Sequence, residues 1–220
     1  MMDRLKMIIK NLNLSDQLYK DLKDRILRND LKLGSKISID EIATQYGVSH
    51  TPVREALNKL SQDGIVIGTP NKVHRIFDFS KKELVEVMEI RKIYECYSIE
   101  KAIKNIKREK FENILNQVLE LKNFRGKDIS QSFYITDIEL HKTIIEGSKN
   151  SKLIEFYNQI YFIIQTVIFR IDNVEEDINE FVSEHINIIS LILKKDNIEA
   201  KNMLEKHLEH STKYYIENFM

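Results

Sequence analysis

Apolar positions recur along most of this chain at three- and four-residue intervals, the spacing that lays one stripe along an α-helix. Leu18, Leu22 and Ile26 form such a face, and Ser15 can cap a helix running to about Asn29. Residues 1–13 ahead of it read as a short leader without assigned structure. Ser38-Ile-Asp-Glu41 has the capping-box pattern and starts a short helix through Tyr46. Gly47 supplies the turn, Ser49 stands where the next cap belongs, and Pro52 falls in a first turn, where its missing N–H costs nothing. Val53, Ala56, Leu57 and Leu60 give that helix its inward face, and Gly64 ends it. The period then shortens: Ile65–Ile67 and Val73–Phe77 read as two strands around Gly68-Thr-Pro-Asn71. A second capping box, Ser80-Lys-Lys-Glu83, puts the domain junction at Asp78–Ser80, hence domains 1–79 and 80–220. Beyond it helices are predicted near 81–106, 109–124, 130–147, 151–171, 176–194 and 197–218, with Asn150 and Asn197 at cap positions. Short connections make neighbouring helices antiparallel.

The predicted fold class is therefore mostly α: three helices and a β-hairpin in a winged helix-turn-helix, followed by an all-α antiparallel bundle. Composition agrees, since two prolines and six glycines in 220 residues leave long uninterrupted segments. Net charge is zero, but residues 1–79 carry 13 Lys and Arg against 10 Asp and Glu, a small basic surplus that the rest of the chain offsets. One cysteine, Cys96, excludes an internal disulfide, and no apolar run reaches the ~20 residues of a membrane span. With no signal-peptide cleavage pattern in the first residues, the expected location is cytoplasmic.

The segment Gly47-Val-Ser-His-Thr-Pro-Val-Arg-Glu-Ala-Leu57 opens a helix with polar and basic residues immediately after a tight turn. That arrangement suits entry into a DNA major groove N-terminus first. Ser49 and Thr51 stand where hydroxyls and unpaired N–H groups meet phosphate oxygens, although Ser49 serves equally as a cap. Arg54, one turn further in, can offer a bidentate contact to guanine or an ion pair to Glu55 or Asp40. His50 can reach backbone or base, and Lys72 and Arg75 in the hairpin can reach phosphate. Together with Ile26-Leu27, Leu33-Gly34-Ser35, Glu41-Ile-Ala43, Leu60 and Asp63-Gly64, this segment resembles the winged-helix domain of the GntR family of bacterial transcription regulators. His50 stands where that family usually has arginine, and the region 71–75 lacks the family's usual wing glycine.

The second half carries its own chemistry. Asp137 and His141 lie four apart and share a helix face. His185 is about nine residues before the end of one helix and His207 about ten into the next; at ~1.5 Å per residue the two reach similar heights. One carboxylate and three imidazoles at one level of a bundle make a divalent-metal site with N and O ligands, against the alternative of hydrogen-bonded core histidines. His210 stands three residues on and fits that level less well.

With Glu89-Ile-Arg91, Glu95, Ser148-x-Asn150-x-x-Leu153, Glu184-His185 and His207-Leu208, the region 80–215 resembles the FadR C-terminal ligand-binding (FCD) domain. That resemblance implies a bundle that dimerises, holds zinc, nickel or a similar ion through Asp137, His141, His185 and His207, and binds a small organic acid beside the metal. Arg91 can clamp the acid's carboxylate or pair with Glu95 one turn on; Tyr134, Tyr161 and Gln165 can line the pocket or pack as core.

The expected function is a homodimeric transcription regulator, a repressor, bound to an inverted-repeat DNA operator and controlled by a small carboxylate effector. Two rivals remain at this point. A metal-dependent enzyme could use the Asp/His set, though no nucleophile, Gly-rich nucleotide loop or catalytic base accompanies it. Alternatively, the bundle could be a metal-free dimerisation or acyl-binding module.

Overall fold

The computed structural model describes residues 2–68, 74–121, 127–170 and 175–219, with side chains from Leu14 onward except at 127–131 and 175–177. Backbone contacts group the chain into two compact units that divide between Phe79 and Ser80.

The first unit contains α1 (Met2–Leu27), β1 (Lys36–Ile37), α2 (Ile39–Tyr46), α3 (His50–Gln62), β2 (Val66–Ile67) and β3 (His74–Ile76). Leu18, Leu22 and Ile26 of α1 are buried, as are Val53, Ala56, Leu57 and Leu60 of α3, and the two helices pack together. Ser38 Oγ accepts from Glu41 N, and Gly47 at φ 62° closes α2 with its N–H on Ala43 and Thr44 carbonyls. A left-handed φ there costs an L-residue roughly 1–2 kcal/mol, which glycine avoids. The turn into α3 is set by that residue.

Three expectations need correction here. Residues 2–13 belong to α1, so the helix passes through Ser15 rather than starting at it. Ser15 is buried, with Lys59 Nζ 3.3 Å from its hydroxyl, so the residue belongs to the α1–α3 contact. The predicted hairpin is a three-stranded antiparallel sheet in the order β1-β3-β2, with Lys36 opposite Arg75 and Val66 opposite Ile76. A two-residue strand such as β1 is too short to show alternation. Finally, Ser49 occupies the N-cap position of α3 but its side chain makes no capping bond. Lys72 lies outside the described residues.

The second unit contains α4 (Lys81–Asn105), α5 (Arg108–Glu120), α6 (Lys127–Gly147), α7 (Ser151–Arg170), α8 (Glu175–Lys194) and α9 (Asn197–Asn218). Ser80 and Glu83 complete a reciprocal capping box at the start of α4. Asn150 Oδ1 accepts from the N–H groups of Lys152 and Leu153 and so caps α7. At α9 the cap is Asp196, not Asn197, because its carboxylate accepts from Glu199 N.

Helices α4, α5, α6, α8 and α9 enclose an apolar core built from Ile99, Ile114, Phe133, Leu140, Ile144, Ile178, Phe181, Ile188 and Leu204, among others. Helices α4 and α6 approach closely at Gly147. A Cβ on Gly147 would stand 2.3 Å from Ala102 Cα, and Asn105 Nδ2 donates to the Gly147 carbonyl at 2.9 Å. About two turns before that crossing stand His141 on α6 and Glu95 on α4. The glycine thus fixes the level at which the two helices bring their polar side chains together.

Candidate metal centre and DNA-reading helix

Four side chains from three helices converge inside the bundle. Asp137 and His141 come from α6, His185 from α8 and His207 from α9, and all four are buried. One ligand atom from each lies within 4.8 Å of the others. His207 Nε2 is 3.2 Å from His185 Nε2 and 3.3 Å from His141 Nε2. Asp137 Oδ1 sits 3.5 Å from the Nε2 atoms of His141 and His185, yet has no hydrogen-bond partner among the described residues. Three inward-facing imidazole nitrogens cannot satisfy one another, because each shared contact needs one donor and one acceptor. An N₃O donor set around an orphaned, buried carboxylate oxygen fits a first-row divalent cation.

The outward nitrogens are held by carboxylates. Glu95 Oε2 lies 2.5 Å from His141 Nδ1, while Glu95 Oε1 accepts from Arg91 Nε at 2.8 Å and from the Tyr157 hydroxyl at 2.7 Å. Glu184 Oε2 lies 2.7 Å from His207 Nδ1. Such partners set the tautomer that leaves Nε2 with its lone pair pointing inward. His185 has no such partner at Nδ1, and its ring stacks on Phe133 with centroids 5.6 Å apart.

Burial and neighbouring charge pull the titrating groups apart. Burial alone would raise the Glu95 carboxyl, but His141 and Arg91 outweigh it and bring it to about 2. Burial likewise opposes charge on Asp137, where His141 wins and the carboxyl falls below its ordinary value. Burial, the largest influence on His141, works against its charge, but the Glu95 and Asp137 carboxylates together outweigh it and raise the imidazole. His207 is lowered to about 3 by burial and by His141, and His185 also falls, by burial and His207. Of the three imidazoles, His141 is thus the one whose charged form the surroundings favour.

Arg91 is 1% exposed and does pair with Glu95, as one of the two sequence readings had it. Its Nη1 is nevertheless buried without a hydrogen-bond partner among the described residues. Tyr161 and Gln165 lie on α7, the first buried and the second with a buried, unpartnered Oε1; Tyr134 packs edge-on against Phe169.

In the first unit, Ser49, His50, Thr51 and Arg54 form an exposed patch at the start of α3. Among the described residues no ion pair or hydrogen bond engages the Arg54 side chain, so neither Glu55 nor Asp40 takes it. Asp40 instead stands 3.2 Å from His50 Nε2. Arg75 is exposed, but its Nη1 donates to the Gly34 carbonyl at 3.1 Å.

Residues 14–73 match the family described as "Bacterial regulatory proteins, gntR family", and residues 86–210 match the FCD domain. The chain belongs to the gntR family, in the group that carries an FCD domain. Its relatives are transcription regulators rather than enzymes, which removes the metalloenzyme alternative. The gluconate operon transcriptional repressor of Bacillus subtilis is 26% identical over 80% of this chain and 74% of its own length. The HTH-type transcriptional regulator YdhC of the same organism is 24% identical over 90% and 89%. Among solved structures, E. coli McbR/YncC shares the fold with a TM-score of 0.77 at 21% identity, covering 93% of this chain and 97% of that one. A metal-free FCD domain superposes with a TM-score of 0.55 at 24% identity, over 64% and 97%.

Sequence alone offers Glu95 as a partner of Arg91 and Glu184 only within a motif, and neither as the support of an imidazole. Glu95 lies four residues after Arg91, a visible ion-pair spacing, but its second partner arrives from another helix 46 positions away. Tyr157, 62 positions from Glu95, left no local signal at all.

Proposed function

We propose that this chain is a homodimeric, metal-dependent repressor that reads an inverted-repeat DNA operator through α3 and releases it in response to a small carboxylate effector. The observation that carries the DNA assignment is the unpaired Arg54 guanidinium on the exposed N-terminal part of α3. Ser49, with its hydroxyl unused as a cap, and Thr51 flank it and take backbone phosphates; His50 adds a further contact, and Lys72 and Arg75 supply those of the wing. Homodimerisation is supported by Ile90, Ile93 and Tyr97, which repeat along one face of α4 while exposed by 37%, 64% and 51%. Two copies present two recognition helices, so half-sites fall about one DNA turn apart.

Asp137, His141, His185 and His207 would hold the ion, zinc by preference, with nickel or another first-row ion accepted by the same donors. When bound, such an ion supplies an electrophilic position at which a carboxylate can coordinate. The chain's own contribution is orientation. Glu95 and Glu184 fix two imidazoles, and Arg91 keeps one N–H unsatisfied for the anion. The name of the gluconate operon repressor carries an organic acid, which agrees with an acid as the effector class. Differential affinity of that acid for two arrangements of the dimer is what would move DNA occupancy. The expected location is cytoplasmic, where operator and small acids meet.

Selection from a pool of random duplexes tests this reading. The protein is expected to enrich an inverted repeat whose half-sites are centred one turn apart. Enrichment of a single unrepeated half-site would remove the dimeric reading, and no enrichment would remove DNA recognition by this chain.

A further inference from the structure

A second cluster of metal-binding side chains lies outside the buried centre. Glu180 and Glu184 stand one turn apart on α8 and so share a face. His210 reaches them from α9. One carboxylate oxygen from each glutamate and one ring nitrogen of His210 lie within 4.8 Å of one another. Unlike the inner four, these residues meet solvent: Glu180 is exposed, and the side chains of Glu184 and His210 keep 16% and 33% exposure. His210 is nonetheless held in place. Its Nδ1 is 2.9 Å from Glu184 Oε1, and its ring stacks on Phe181 with centroids 4.7 Å apart and planes 22° from parallel. The other oxygen of Glu184 faces His207, one of the inner four.

We infer that Glu180, Glu184 and His210 form a second, outer site for a divalent first-row cation. An imidazole and two carboxylates are an N/O donor set of the kind zinc, manganese and nickel accept. Metal–ligand bonds of about 2.0–2.2 Å need the three atoms drawn somewhat closer, which a rotamer change of exposed Glu180 provides. Water fills the remaining positions. The two glutamates repel each other across one helical turn. A cation relieves that cost. With fewer protein ligands, and one of them exposed, the outer site binds more weakly than the inner one. Because Glu184 serves both His207 and the outer cation, the two sites are linked, and each ion alters the affinity for the other by the same factor.

Zinc alone is the probe. The full chain is stripped with chelator, dialysed against rising zinc and analysed for metal per chain, beside His210→Gln, Glu180→Gln and His185→Ala, each checked for helix content. The wild type is expected to take up two ions, the second at least about tenfold weaker. His210→Gln and Glu180→Gln lose the weak ion and keep the tight one, whereas His185→Ala loses the tight one and keeps the weak one. One ion per chain at saturation overturns the outer site, and so does a weak ion that survives both outer substitutions. Failure of the inner assignment reads differently: His185→Ala then keeps the tight ion.

Discussion

Arg54→Ala loses specific operator binding while keeping helix content and dimerisation. The side chain is exposed on α3 and engages no partner among the described residues, so its removal leaves no buried charge and no broken internal bond. What it removes is a bidentate contact, with a discrimination of roughly 1–3 kcal/mol for the right base. That corresponds to about a 5- to 150-fold loss of affinity for the selected operator, doubled in energy when both halves of a dimer are altered. Binding to unrelated duplex changes much less, because phosphate contacts from Ser49, Thr51 and the wing persist. Gel-shift or anisotropy titration on both DNAs at one salt concentration reads the difference. Full operator affinity in the variant would remove Arg54 as the base reader.

The second large effect concerns the buried centre. His185 is the one imidazole of the three whose second nitrogen, Nδ1, has no hydrogen-bond partner among the described residues; its ring stacks on Phe133. Its one evident polar role is to face the other ligand atoms. His185→Ala is therefore expected to lose the tightly held ion and, with it, the ion's contribution to stability. An ion present at a thousand times its dissociation constant contributes about 4 kcal/mol to the folded state. The melting temperature of wild-type protein should fall on chelation, while that of the variant should not respond. Affinity also depends on pH, with a definite sign. His141, whose pKa is raised above the ordinary imidazole value, is the imidazole that takes up an extra proton first as the pH falls, and the ion must displace that proton. Zinc affinity therefore drops about tenfold per pH unit below the His141 pKa and levels off above it. His185 and His207, lowered by burial, release no proton over that range. Affinity independent of pH from neutrality downward would contradict the assigned proton.

Much of this was legible in the sequence because helical periodicity is a local code. The Asp137–His141 pair is an i, i+4 spacing, and the level of His185 against His207 follows from rise per residue and a short turn. The Nε2–Nε2 approach of 3.2 Å agrees with two such legs. The Ser80–Glu83 box and the Gly47 turn are local in the same sense. Misreadings arose where tertiary contact decided. Ser15 has the chemistry of a cap but is consumed in packing against α3. Asn197 and Asp196 are adjacent cap formers, and no periodic signal chooses between them. Strand β1 exists only because β3 lies beside it. The carboxylates that orient His141 and His207 come from other helices, so the hydrogen bonds that tune the centre could not be read before the fold. Arg91 binds the partner visible at i+4 through its Nε, while its Nη1 has no hydrogen-bond partner among the described residues.

The central claim is that metal and acid together govern DNA occupancy, and operator affinity measured with and without them tests it most directly. The selected inverted repeat is titrated with zinc-loaded and with chelated protein, each against a panel of small carboxylates. The account predicts that one acid weakens operator binding by tenfold or more in the zinc-loaded protein and has no effect on the chelated one. Operator affinity that is the same in both forms, and indifferent to every acid, would contradict it and leave the buried histidines as packing.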